Sequence, residues 1–297
     1  MSGKWHAEPI ETTLADHGDR HFKRAGILSS GVREIIQGPI DHAVRIGQSS
    51  IHMVFRFSEI EGEEVFEYLT QGPTESWLHQ LTGTDTDAHL KALPIVAEGG
   101  VLEEFKPLRV LHIEDNLDIG IQGDHKKFDF TENDEGLPDE SSRNNIFLWL
   151  FRILQVSMPT KGRGGSWGLG KYATYLLSKF RTAFHVSSYL DEDGNRKRFA
   201  VGQAHWKSRK NRPPPTTDIP VDDNGQISYG PTVWYGKKDL DVPGRPKTWL
   251  PLTESSSIDS LCNVLQINRP LTYHGTSIMV PAPHDDITGN DIAQAVI

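Results

Sequence analysis

The residues best suited to chemistry lie in PTKGRGGSWGLGK, positions 159–171. Four of the seven residues 164–170 are glycine, and Lys171 follows at the predicted start of a helix. Glycines let backbone N–H groups approach an anion closely, and a helix N-terminus adds partial positive charge there. Gly165, Ser166, Trp167, Gly168, Leu169 and Gly170 are therefore candidate phosphate contacts, with Trp167 as a cover. Lys171 adds a full charge, and Lys161 and Arg163 flank the loop. A second candidate is Asp115, which ends the apolar run VLHIED; a carboxylate there is costly without a partner, and a ligand accounts for its position. A third is the stretch Arg196 to Arg212, with seven Lys/Arg, no acid, and His205 and Trp206 for stacking. It reads either as a nucleic-acid or partner patch or as a solvated hairpin edge. His17 and His21 stand four apart without an evident third metal ligand.

The elements that must position these residues follow from periodicity and punctuation. Ser29 or Ser30 is a good N-cap, after which Val32, Ile36, Ile40 and Val44 recur every four residues with Ile35 and Ala43 beside them. Pro39 interrupts this helix, a local rule broken in mid-element. Strands are predicted at 51–57 and 109–114, a buried helix at 144–155, a helix at 172–180, and a hairpin from 182–190 and 196–206 around the DEDG turn. GTSIMVPAP, 275–283, reads as a late strand, and the polar, acidic run from Asp124 to Ser142 as a mobile loop. Residues 1–28 read as an arm, 60–105 as an insertion, and 286–297 as the start of a following segment.

Composition narrows the class. The length of 297 residues suits two domains or one enlarged domain, and the net charge of −9 argues against a general nucleic-acid coat. Cys262 is the single cysteine, which excludes an internal disulfide and cysteine-based zinc sites and fits a reducing cytoplasm. No apolar run of 18 residues, no signal-peptide core and no repeat is present, so no membrane partner is expected.

Two nucleotide folds compete for the glycine-rich loop. Gly165 through Lys171 fits the GxxxxGK of a P-loop. Tyr172, however, stands where a Ser or Thr should hold magnesium, and the acid-terminated run VLHIED precedes the loop instead of following it. The other reading takes in more of the chain. REIIQGPIDHA, RVLHIEDNLDIGIQG, the glycine-rich loop and GTSIMV come in the order of helix motif, Asp-Gly loop, GxxGxG and Gly-Thr strand. In this order the chain resembles the GHKL ATPases of the Bergerat fold (gyrase B, heat-shock chaperone ATPases, histidine kinases, MutL) over about residues 29–283. The RExxQ form and the GGxxGxGK loop are most similar to the branch found in bacterial restriction and anti-phage loci.

The resemblance implies an α+β, two-layer α/β sandwich, a mixed sheet backed by helices, as a single domain at 29–285 with a lid at about 122–164. It implies that Asp115 accepts from the adenine amino group, that Gly120 passes close to the base, and that Thr276 closes the pocket. Glu34 would orient the attacking water, Asp41 would sit at the nucleotide, and Gly165, Gly168, Gly170 and Lys171 would hold the phosphates. The family's magnesium-binding Asn falls on Gly38, which has no side-chain oxygen. The expected cofactors are ATP and Mg2+. The expected partners are other subunits of a multi-component defence system, a second copy of the chain in a homodimer, and nucleic acid at Arg196 to Arg212. A non-hydrolysing nucleotide-binding assembly module is the other outcome that Gly38 suggests.

Overall fold

The computed structural model describes residues 4–9, 27–61, 65, 68, 95–98, 101–105, 107–118, 120–127, 129, 131–134, 138–152, 170–191, 193–205, 209–211, 227–239 and 248–296. Strands are β1 (Lys4–Pro9), β2 (Met53–Ile60), β3 (Ile95–Glu98), β4 (Val101–Phe105), β5 (Leu108–Asp115), β6 (Thr182–Leu190), β7 (Arg196–His205), β8 (Arg209–Asn211), β9 (Ile227–Asp239), β10 (Thr248–Leu250) and β11 (Gly275–Pro281). Helices are α1 (Ile27–Ile46), α2 (Glu140–Asn144), α3 (Gly170–Leu176), α4 (Ser255–Val264) and α5 (Gly289–Val296), with a π-helical turn at Leu148–Arg152. Seven strands run in the order β1-β9-β7-β6-β11-β5-β2, and β8 and β10 also pair with β9. β3 and β4 form a separate hairpin within the expected insertion.

The protein is thus α+β, an open sheet with helices, consistent with a two-layer α/β sandwich. The sheet is antiparallel in every described pairing, where a mixed sheet was expected. Parallel neighbours need a long crossover, whereas β6 and β7 return through a tight turn. There Asp191 accepts from Asp193 N–H and Asn195 N–H, and Gly194 takes φ +77°. β1 lies within the expected arm and pairs with β9. Helix α1 is already under way at Ile27, which places Ser29 and Ser30 inside its first turns and not at the cap.

Alternation explains the packing. On one face, Val32, Ile35, Ala173, Leu176, Leu177, Ile287 and Ile292 from α1, α3, α5 and their flanks cover Leu111, Ile113, Ala183 and Val280. At Gly31 of α1 a Cβ would make an ordinary contact with Leu177, just past α3, so the two helices pack here without requiring glycine. The same face continues into an aromatic cluster, where Phe147 and Phe151 pack on Phe199 and Trp234 stacks on Trp249 at 4.6 Å. The opposite face carries Val110, Phe184, Val186, Tyr235 and Met279 beneath Tyr68 and the α4 residues Ile258 and Leu261. With cover on both faces, β6 is buried from Thr182 to Ser188, which is why its sequence lacks polar alternation.

The expected mobile loop is closely tied where it is described. Asp139 caps α2 by accepting from Ser142 N–H at 2.6 Å, and Lys127 Nζ donates to Ser142 Oγ at 2.8 Å. Asn145 Nδ2 reaches Asp124 O at 3.0 Å, and Phe147 N–H donates to Gln122 O. α5 packs on α1 within the same core, and Arg109 Nη2 donates to Ile287 O at 2.7 Å. Among the described residues no helix is long and apolar enough to cross a membrane.

α1 runs unbroken through Pro39, which supplies no N–H to the helix ladder. Pro39→Ala restores that donor, and an interior proline costs up to about 3 kcal/mol relative to alanine. The expected outcome is a melting temperature several degrees above wild type by calorimetry; a lower one contradicts this account of α1.

Candidate functional site

Asp115 closes β5 beside Thr276 of β11, and Thr276 pairs across to Ser187 of β6. Asp115 is buried, at 9% exposure, and its Oδ1 accepts from Leu117 N–H at 3.1 Å and Thr276 N–H at 3.0 Å. Among the described residues Oδ2 accepts no hydrogen bond, so that oxygen is the acceptor a ligand would meet. Gly120 reaches the same place by a tight turn, its N–H donating to Leu117 O at 3.2 Å. Its φ is +58°, and a Cβ would collide with Ser188 O and Ser187 Oγ. Gly275 has φ +95°, and a Cβ there would run into the carbonyl and carboxylate oxygens of Asp115. Only glycine meets both demands at these two positions.

Ser187 is the hub that connects these parts. Its Oγ accepts from Ile121 N–H at 2.8 Å and lies 3.1 Å from Thr276 Oγ1. The sequence reading did not single it out, although two adjacent serines in a buried strand signal hydroxyls that need partners. On the same face, two residues along β6, His185 is buried in T-shaped contact with the Phe151 ring, and among the described residues its Nε2 has no hydrogen-bond partner. Burial pushes its pKa down to about 3, so the ring stays neutral.

Arg269, also absent from the sequence reading, lies behind this row at 5% exposure. Its Nη2 donates to Asp115 O and Thr276 O, each at 2.9 Å, its Nε to Ser277 Oγ at 2.9 Å, and its Nη1 to His274 O. Burial pushes the Asp115 carboxyl upward from the ordinary carboxylate range, opposed by the Leu117 and Thr276 N–H groups and by the Arg269 charge. Burial pushes the guanidinium downward, opposed first by Asp115 and then by Glu114.

The loop after Asp115 is tied to the end of α1. Gln48 accepts from Asp118 N–H at 3.1 Å and donates to Asn116 O at 3.3 Å, and His52 N–H donates to Asn116 Oδ1 at 2.7 Å. On α1, Glu34 is half-buried, while Asp41 is exposed and accepts from Gln37 Nε2 at 2.6 Å. Gly38 is exposed, with nothing within 4 Å of a built Cβ.

Of the predicted site residues, Asp115, Gly120 and Thr276 are brought together. Glu34 and Asp41 share the helix whose end is tied to the Asp115 loop. Lys161, Arg163, Gly165, Ser166, Trp167, Gly168 and Leu169 lie outside the described residues, as do His17 and His21. Gly170 opens α3, and Lys171 follows within it. In the basic stretch, Arg198 pairs with Asp259 at 2.5 Å and donates to Arg269 O at 3.0 Å. Arg196 bonds the His274 ring at 2.8 Å, and Lys197 lies 3.7 Å from Asp191. These three cations therefore face internal partners. Among the described residues no group of three His, Cys, Asp or Glu could hold a metal ion.

The raised Asp115 carboxyl has a consequence for stability. A group raised on folding contributes stability that is full below its unfolded pKa, about 4, and is lost as pH rises through the folded value. Asp115→Asn removes the cost of the buried charge while keeping an Oδ1 acceptor. Ligand-free Asp115→Asn is expected to melt at least about 2 °C above wild type at pH 7.5, with the gap closing towards pH 4. A lower melting temperature at pH 7.5 contradicts this. Compared with family models, with curated proteins and with solved structures, the chain finds no match.

Proposed function

We propose that the protein binds ATP with its adenine at Asp115, as a GHKL-type nucleotide switch, and that the antiparallel sheet is the sheet of a Bergerat fold. The observation that carries this reading is the meeting of Asp115, Gly120 and Thr276. They come from separate parts of the chain and join in one buried row, with Thr276 N–H on Asp115 Oδ1 at 3.0 Å. A carboxylate oxygen that accepts no hydrogen bond among the described residues, a backbone pressed close by glycine, and a neighbouring hydroxyl are the parts a purine amino group and ring require. His185 Nε2, without a hydrogen-bond partner among the described residues, is further hydrogen-bonding capacity on the same strand face as Ser187. A P-loop fold expects parallel βα units, and the described pairings are antiparallel, which favours the GHKL reading.

In this reading the segment 161–171 carries the phosphates, and Glu34 orients the attacking water from α1. Catalysis of this kind is positioning and electrostatics. Magnesium, when bound with the phosphates, would neutralise their charge; α1 offers it the oxygens of Asp41 and Gln37 and none at Gly38. The ATP-bound state would favour dimerisation or the engagement of partner subunits, in keeping with a role in a multi-component defence system in the cytoplasm. The bare Gly38 favours a second reading, in which the protein binds nucleotide and assembles partners without turnover.

Thermal shift with ATP and phosphate-release assays separate these readings. ATP is expected to raise the melting temperature of wild type and not of Asp115→Asn, whose amide keeps Oδ1 on the two backbone N–H groups and turns an NH2 donor towards the amino group in place of Oδ2. Equal shifts in both proteins contradict the adenine assignment. Glu34→Ala is expected to bind ATP normally and to lose at least about a hundredfold in phosphate release, the scale of one positioned base. If wild type binds ATP and releases no phosphate with partners present, the non-hydrolysing reading stands. Gly38→Asn, which the open space around Gly38 tolerates, then tests whether the missing oxygen is the cause.

A further inference from the structure

Arg269 is an expensive residue to bury, and its surroundings show what it organises. It comes from the segment between α4 and β11, yet its guanidinium bonds the carbonyls of Asp115 and Thr276 on two different strands, and adds Ser277 Oγ and His274 O. Its own carbonyl is held by Arg198 Nη1 at 3.0 Å, and Arg198 is in turn fixed by Asp259 of α4 at 2.5 Å. Buried ion pairs are poor sources of stability, because desolvation consumes most of the attraction. A rigid, planar five-donor group that joins two strand ends is well suited to fixing geometry. We propose that Arg269 is a positioning residue of the nucleotide site, which locks the ends of β5 and β11 in register and supplies the buried positive charge that keeps the Asp115 carboxylate available to the base.

This rests on the ATP reading above and adds to it the residue on which Asp115 depends. Three features agree. The two acceptors of Nη2 are the carbonyls of the two residues assigned to the base, not of their neighbours. Gly275 has no side chain where one would push β11 off Asp115. The Arg269 charge acts on the Asp115 carboxyl in the direction that favours ionisation. Besides Asp115, the titratable groups that act on the Arg269 charge are Glu114, the buried Cys262 of α4 and Tyr273. Glu114 is the chain neighbour of Asp115 and lies 3.6 Å from Arg56 of β2. Asp118 follows in the loop, and its carbonyl meets the His274 ring at 3.0 Å. Tyr273 is exposed beside His274.

The test measures ATP affinity by calorimetric titration from pH 4 upward, across the range in which each protein stays folded, for wild type, Arg269→Met and Arg269→Lys. The nucleotide's own titration is common to all three proteins and cancels in the comparison. Affinity should rise with pH to a plateau as Asp115 ionises. In Arg269→Met the midpoint of that rise is expected to move upward by about one pH unit or more, the scale of removing an opposite charge at close range. Arg269→Lys keeps the charge and loses the fork, so its midpoint should stay at the wild-type value while affinity falls several-fold at every pH. A purely structural arginine would lower affinity without moving the midpoint in Arg269→Met, and that result overturns the proposal. If Arg269→Met does not fold, Arg269→Lys decides: an unchanged affinity or a displaced midpoint overturns it. Failure of wild type to bind ATP, or binding by Asp115→Asn equal to wild type, instead overturns the ATP reading itself.

Discussion

A carboxylate and a guanidinium are buried near one another where β5 ends. Asp115 Oδ1 is held by two backbone N–H groups, and Arg269 grips the carbonyls of Asp115 and Thr276 from behind. Each charge pushes against the effect of burial on the other. The guanidinium reduces the cost of the buried carboxylate charge without cancelling it, so each group needs the hydrogen bonds it makes there. The surrounding architecture satisfies this condition. β11 must lie between β5 and β6 so that Thr276 reaches both Asp115 and Ser187, and the α4–β11 segment must turn Arg269 inward.

The sheet provides the rigidity this needs. β6 and β11 are covered on both faces, so their ends move little relative to one another. Glycine supplies what packing cannot. Gly120 and Gly275 take left-handed conformations against backbone oxygens that exclude any Cβ, and the chain can therefore close on the Asp115 row from both sides. The tie from Gln48 to Asn116 and Asp118 joins the end of α1 to the same loop. In the proposed reading this tie would link a bound base to the helix that carries Glu34 and Asp41.

Much of this was legible in the sequence. Period-four apolar residues marked α1, the DEDG turn placed the β6–β7 hairpin, and the acid at the end of an apolar run marked Asp115. Those signals are local, and local signals survive in a linear reading. Ser187 and Arg269 were not found, because their importance lies in partners 66 to 154 residues away. β1 escaped notice because KWHAEP is polar, and its place comes from pairing with β9 instead of from its own pattern. The basic stretch read either as a partner patch or as a solvated hairpin edge, because Asp259 and His274 lie far along the chain. In space Asp259, Asp191 and His274 stand beside Arg198, Lys197 and Arg196. The antiparallel sheet was likewise a matter of connections, which composition does not encode.

The central claim is that the row of Asp115, Thr276 and Ser187, backed by Arg269, receives a purine. A crystal structure of the protein with a non-hydrolysable ATP analogue and magnesium tests it most directly. The account predicts the adenine amino group within about 3 Å of Asp115 Oδ2, the hydrogen-bonding distance for such a pair, with the base between Gly120 and Thr276. An analogue bound elsewhere, or bound with its base turned away from Asp115, would contradict it.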